Sequence, residues 1–329
     1  MKDSFGREID YIRISVTNDC NLNCRYCRGE SAGGQSNCFA QMLSSENIID
    51  VCAAAAELGI CKVKITGGEP LLRKDIASLC KKINAISGIS EVTMTTNGIF
   101  LGHYAESLYD AGIKNVNVSL DTIDRERYRS ITGFDGVNSV LKAVDTALEC
   151  GIRVKINSVL YRDAFENDDE LLDNCTGLAD YFCRMGIDVR FIELMPIGPG
   201  TGEIKYSGHT VLNHMKKIFG TPGICNETVG NGPAVYYSFD GLSGRIGFIN
   251  AIHDKFCDRC NRIRLTPEGR LKACLCYGEN IDLLPIIRKK NRELLVSAIR
   301  EVVNAKPREH CFEDNANITE KRKMVDIGG

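Results

Sequence analysis

The sequence predicts an α/β fold, an incomplete (β/α)6 barrel of the TIM type followed by a smaller α+β extension. Three observations support it. Strand-like and helix-like segments alternate as far as Leu194, in six strand-helix units with short connections. Four of the strands carry one polar and one apolar face. From Met195 the alternation stops at Pro196-Ile-Gly-Pro-Gly-Thr-Gly202, so a second module is expected from about residue 200, giving domains 1–200 and 201–329.

Taken in order, Tyr11 to Thr17 alternates β-branched and polar residues and reads as the first strand. A cysteine-rich loop follows, then a helix from Ser45 to Gly59 with a polar start, apolar residues at helical spacing and a glycine stop. Lys62 to Thr66 is the second strand, with a helix from about Lys74, and Val92 to Thr96 is the third, with a helix around Tyr104 to Ala111. Asn115 to Leu120, a helix from Gly136 to Cys150, Arg153 to Val159, a helix from Asp169 to Met185 and Asp188 to Leu194 complete the series. Leu212 to Phe219 is a short helix among strand-like pieces beyond it.

Strands buried on both faces of a parallel sheet are almost continuously apolar. Here Arg13, Ser15 and Thr17 share a face, as do Lys62, Lys64 and Thr66, then Asn115, Asn117 and Ser119, then Arg153, Lys155 and Asn157. An apolar face against the helices and a polar face inside describe a lumen that holds a polar ligand. This places Arg13, Lys64 and Lys155 inside.

The formal charge of −2, from 41 basic and 43 acidic residues, gives no overall field for nucleic acid or a membrane surface, so an anion site must be locally assembled. No apolar run approaches the length that spans a bilayer, and the N-terminus lacks a signal-like core, so a cytoplasmic protein is expected. Sixteen cysteines then point to a reducing compartment and metal chemistry. Cys52, Cys61, Cys80, Cys150 and Cys183 read as ordinary core or surface thiols.

Cys20-Asn-Leu-Asn-Cys24-Arg-Tyr-Cys27 puts three soft ligands on one loop at the end of the first strand. A structural zinc takes four ligands, whereas three cysteines on a four-iron cluster leave one iron open to a substrate. Cys257-Asp-Arg-Cys260 with Cys274 forms a second set. Spacing alone leaves it open between a cluster and a zinc site with Cys276 as fourth ligand. Gly67-Gly-Glu-Pro70 ends the second strand, where barrel enzymes place their active sites, and Glu69 can accept a hydrogen bond from an ammonium group. Arg262 and Arg264 alternate with Ile263 and Leu265, so a strand would turn both guanidiniums to one face, suited to phosphate oxygens.

The spacing of Cys20, Cys24 and Cys27 resembles the signature of the radical S-adenosylmethionine enzymes. Asp3-Ser-Phe-Gly-Arg7 through Cys27, with Cys-x-x-Cys-Asn-Arg-x-Arg-Leu over residues 257–265, resembles the GTP 3′,8-cyclase family of molybdenum cofactor biosynthesis nearly from end to end. The resemblance implies two [4Fe-4S] clusters, on Cys20, Cys24 and Cys27 and on Cys257, Cys260 and Cys274. It implies S-adenosylmethionine contacts at Tyr26, Gly68, Glu69, Ser119 and Met195. It implies GTP contacts at Arg13, Lys64, Thr95, Lys155, Arg190, Arg262 and Arg264. Catalytic roles are implied for Arg13, Arg262, Arg264 and the double-glycine end, Gly328 and Gly329. The implied reaction removes the ribose 3′ hydrogen of GTP and joins that carbon to C8 of guanine. Implied partners are a reductase or a flavodoxin- or ferredoxin-type electron donor and the cyclic pyranopterin monophosphate synthase acting next; a homodimer is allowed. The rival readings are a peptide-modifying radical enzyme, which gives no reason for Arg262 and Arg264, and a zinc-bound nucleic-acid module, which the neutral charge disfavours.

Overall fold

The structure is a computed structural model that describes residues 1–29, 42–198, 206–225, 230–278 and 281–328. Gly329 and the end of the glycine-rich stretch, residues 199–202, lie outside the described residues.

Six parallel strands, β1 (Tyr11–Ser15), β2 (Lys62–Thr66), β3 (Glu91–Thr96), β4 (Asn115–Ser119), β5 (Arg153–Leu160) and β6 (Asp188–Glu193), pair in sequence order. The helices α2 (Ser45–Glu57), α3 (Ile76–Asn84), α4 (Leu101–Asp110), α6 (Val137–Glu149) and α7 (Asp168–Arg184) follow them on the outside, with a one-turn α1 (Arg25–Arg28) in the cysteine loop. The expected elements are therefore present, most with ends shifted by a residue or two, while α4 begins three residues before the expected Tyr104 and the helix expected from Leu212 begins four residues earlier, at Gly208. One helix, α5 (Arg125–Thr132), departs from expectation. Its Asp124 accepts from the Arg127 amide and Gly133 ends it in a left-handed conformation, but only Tyr128, Ile131 and Thr132 are buried. Too few apolar residues recur for the helical period to show in the sequence.

Among the described residues the extension builds no separate sheet. Among them it adds β7 (Gly223–Cys225), β8 (Val235–Ser238), β9 (Ile246–Ile249), β10 (Arg262–Leu265), β11 (Arg270–Lys272) and β12 (Ile281–Asp282), giving the order β12-β11-β10-β1-β2-β3-β4-β5-β6-β9-β8-β7. β9 runs parallel to β6 and β10 parallel to β1, so both edges of the six-stranded barrel are continued by the C-terminal half of the chain. Helices α8 (Gly208–Phe219), α9 (Leu284–Arg288), α10 (Arg292–Asn304) and α11 (Met324–Ile327) complete it.

Ile12, Ile14, Val63, Ile65, Val116, Val118, Val154 and Ile156 turn outward into one continuous core under the helices, as the alternation requires. No helix among the described residues is long and apolar enough to cross a membrane.

Near the C-terminus, Lys272 on β11 is fully buried and donates to Glu320, itself 6% exposed, and to the carbonyl of Tyr277 at 2.5 Å. This pair fastens the C-terminal tail to the extension. Removing one member strands a buried charge, so Glu320→Ala is expected to cost about 3–5 kcal/mol in denaturant unfolding; a loss under about 1 kcal/mol would show the pair to be dispensable.

A candidate active site in the barrel lumen

Strand register sets the lumen out in layers. Arg13 is opposite Arg264 on one side and Lys64 on the other, and Lys64 is opposite Thr93. Thr95, Asn117 and Lys155 form one row, and Asn157 is opposite Arg190. These side chains line a cavity of about 790 Å³, toward the upper end of ligand cavities, roughly 300–1,000 Å³. Lys62 departs from the expected polar face and pairs with Asp10 at 2.7 Å outside the lumen.

The cations of this cavity have few counter-ions. Of the carboxylates lining it, Asp121 and Glu193 stand at the C-terminal ends of β4 and β6, while at the N-terminal ends Asp188 takes a two-bond fork from Arg245 and an ion pair from Lys155 at 3.4 Å, and Glu91 accepts from Asn115. Further up, burial and then the charges of Arg190 and Arg13 hold Lys64 well below the usual lysine range. Burial, then Arg13 and Arg262, likewise hold down Arg264. The Nε and Nη2 of Arg190 and the Nε of Arg262 are buried with no hydrogen-bond partner among the described residues. Such donors fit an anion with several oxygens.

Both cysteine sets face this same cavity. Cys20, Cys24 and Cys27 follow the C-terminal end of β1, and the Asn23 amide donates to Thr132 of α5 at 2.8 Å, which fixes the loop. Cys257 and Cys260 flank a 3₁₀ turn before β10, and Cys274 follows β11, the strand antiparallel to it. β1 and β10 are parallel neighbours, so the chain leaves the first set and enters the second at opposite ends of the pair, on the order of 15 Å apart by strand rise.

The donor chemistry fits metal clusters. Burial raises Cys24 well above the usual thiol range, with the neighbouring thiols adding to it, and pushes Cys27 up to about 12. Neutral thiols packed this closely need a positive group before they can all ionise. At Cys260 burial is outweighed by Lys306 and Arg262, which bring the thiol down to about 7. No trio of His, Cys, Asp or Glu among the described residues closes on a single metal ion; a cluster, whose cysteines each take a different iron, does not ask for that. Cys276 does not face the cavity: it is fully buried, with its sulfur 3.4 Å from that of Cys311.

Of the other expected residues, Tyr26, Gly68, Thr95, Ser119 and Met195 all line the cavity. Gly68 is tight enough that a Cβ would collide with the Asp19 carbonyl. Glu69 is wholly buried and accepts from the Leu71 amide, Thr96 and the Asn97 amide, so it ties the end of β2 to the end of β3. Gly328 adopts φ 73 and its carbonyl accepts from Arg264 at 2.8 Å, which brings the tail onto the lumen. The amide of Val325 donates to the Cys27 sulfur, so the tail also reaches the first cysteine loop.

Several site residues escaped sequence reasoning. Asp121 accepts from the Tyr26 hydroxyl at 2.9 Å and from the Val159 amide, and burial raises its carboxyl to about 6. Asn97 bridges to Asn21 at 2.8 Å. Both stand just past the C-terminal ends of barrel strands, which is the signal that could have found them.

Residues 14–175 match the Radical SAM superfamily model, and residues 187–312 match the Molybdenum Cofactor Synthesis C model. The chain is 42% identical to a GTP 3′,8-cyclase of Clostridium perfringens over 339 residues, covering all of both chains, and 40% identical to that of Alkaliphilus metalliredigens over 330 residues with the same coverage. Among solved structures, Streptococcus suis SuiB bound to S-adenosylmethionine superposes with a TM-score of 0.64 at 14% identity, over 97% of this chain and 78% of that one, a likeness of fold.

Burial raises the Glu69 carboxyl from 4.5 to about 7 against its three hydrogen bonds. The native state therefore holds this proton more tightly than the unfolded chain, and the contribution is fully present below 4.5 and lost as pH rises through about 7. Unfolding of the apoprotein should show wild type losing about 1–3 kcal/mol relative to Glu69→Gln across that window; a pH-independent difference would refute the assignment.

Proposed function

The chain belongs to the GTP 3′,8-cyclase family of the radical S-adenosylmethionine superfamily, and from that membership we propose how its lumen is divided between cofactor and substrate. The enzyme uses S-adenosylmethionine to convert GTP to 3′,8-cyclo-7,8-dihydro-GTP in molybdenum cofactor synthesis. Cys20, Cys24 and Cys27 hold one [4Fe-4S] cluster, and Cys257, Cys260 and Cys274 hold a second. The observation that carries this reading is that all six face one cavity together with Arg13, Lys64, Arg190, Arg262 and Arg264. When bound and reduced, the first cluster supplies the electron that divides S-adenosylmethionine into methionine and a 5′-deoxyadenosyl fragment.

The chain's own part is to bind, orient and exclude water. Tyr26, Gly68, Ser119 and Met195 hold S-adenosylmethionine at the C-terminal end of the barrel, with Glu69 fixing the turn that presents Gly68. Arg262 and Arg264, on one face of β10, take the triphosphate with Arg13, Lys64, Thr95, Lys155 and Arg190 around it. Gly328 closes the lumen from the tail, and the family resemblance gives Gly329, outside the described residues, a role beside it. Residues 1–200 generate the radical and contribute Arg13, Lys64, Thr95, Lys155 and Arg190 to the substrate site, and residues 201–329 bring the second cluster with Arg262 and Arg264. A flavodoxin- or ferredoxin-type donor supplies the electron, and the cyclic pyranopterin monophosphate synthase takes the product, in the cytoplasm.

Anaerobically reconstituted protein, reduced with S-adenosylmethionine and GTP, should form the cyclised nucleotide and 5′-deoxyadenosine together, and Cys20→Ala should lose both. Deoxyadenosine without a GTP-derived product would sink the substrate assignment. Arg264→Ala should raise the Kd for GTP about tenfold to a hundredfold while leaving deoxyadenosine formation in the absence of GTP near wild type. Unchanged GTP binding would remove Arg264 from the substrate site.

A further inference from the structure

The segment Asp3-Ser-Phe-Gly-Arg7 lies outside the lumen, yet it forms a small buried device. Asp3 Oδ1 accepts from the Phe5 and Arg7 amides at 2.9 Å, and Oδ2 takes an ion pair from Arg7 Nε at 2.6 Å. The two side chains are 7% and 8% exposed as residues. The rest of the guanidinium is spent on main-chain carbonyls far away in sequence. Arg7 Nη1 donates to Cys257 at 2.9 Å and to Arg308 at 2.8 Å, and Nη2 donates to Pro307 at 2.7 Å.

The same C-terminal segment carries a second buried cation. Lys306, 3% exposed, donates to the carbonyl of Arg262 at 2.9 Å and to that of Ala273 at 2.6 Å. No carboxylate pairs with it among the described residues, and both carbonyls that it holds belong to the stretch carrying the second cysteine set.

These contacts have one target. Arg7 holds the carbonyl of Cys257. Lys306 holds the carbonyl one residue before Cys274 and the carbonyl two residues after Cys260. Residues 306–308 supply both the lysine and two of the carbonyls that Arg7 grips. We propose that Arg7 and Lys306 are positioning residues that assemble the second cysteine set from three distant stretches of chain, and that the second cluster depends on them while the first does not. This rests on the two-cluster assignment above. Outer contacts of this kind set ligand orientation, and their loss costs metal affinity by 10–100-fold in typical sites.

The test uses full-length Arg7→Met and Lys306→Met, reconstituted anaerobically with iron and sulfide beside wild type. Iron and acid-labile sulfide per chain, thermal unfolding, GTP affinity and deoxyadenosine formation without GTP are measured on each. Wild type should hold about eight irons and each variant about four. Deoxyadenosine formation, the sign that the barrel and first cluster are kept, should stay near wild type, GTP should bind at least about tenfold more weakly, and the unfolding midpoint should fall in Arg7→Met, which strands the buried Asp3. Parallel loss of both clusters, or full iron with unchanged GTP affinity, would overturn the proposal while leaving two clusters in wild type. About four irons in wild type itself would overturn the two-cluster assignment, and this inference with it.

Discussion

Everything in this molecule is arranged around like charges held inside a barrel. Register alone brings Arg264, Arg13 and Lys64 side by side on neighbouring strands. Cations so placed repel one another and have lost their water, which is why Lys64 and Arg264 are both driven down from their ordinary ranges. Asp188 offsets only the far end, through Arg245 and Lys155. In the middle, the Gly328 carbonyl meets Arg264, while buried nitrogens of Arg190 and Arg262 remain unmatched among the described residues. A triphosphate supplies charge and oxygens together.

That constraint explains the architecture around it. A six-stranded barrel leaves two edges, and this chain continues both with its C-terminal half. β10 is more than an edge cover: parallel pairing with β1 sets Arg262 and Arg264 level with Tyr11 and Arg13, turned to the same lumen. The same pairing puts one cysteine set beyond one end of the strands and the other before the opposite end. The lumen's cations thus lie between the two cysteine sets, and the tail meets Arg264 through the Gly328 carbonyl.

Much of this was legible in the sequence because the governing patterns are short-range. Period-two alternation marked Arg13, Lys64, Asn117 and Lys155 as inward, and three cysteines on one loop announced a metal site. Arg262 and Arg264 showed their shared face through Ile263 and Leu265. What stayed hidden depends on contacts between distant segments. Nothing local reveals that Arg7 grips the carbonyls of Cys257, Pro307 and Arg308, or that Lys306 serves the cysteines. The turn motif points Glu69 toward a ligand, but it does not show that the β3 end supplies two of its three protein donors, since strand neighbours are not visible in a turn motif. Helix α5 escaped because its buried side is so narrow.

The most direct test of this account is calorimetric binding of GTP and of guanosine to the reconstituted protein at fixed salt. If the buried cations are there for the triphosphate, guanosine binds at least about a thousandfold more weakly, a gap of roughly 4 kcal/mol, and the gap narrows as salt rises. Equal affinity for the two would mean that the phosphates lie outside the lumen, and the central claim would fall.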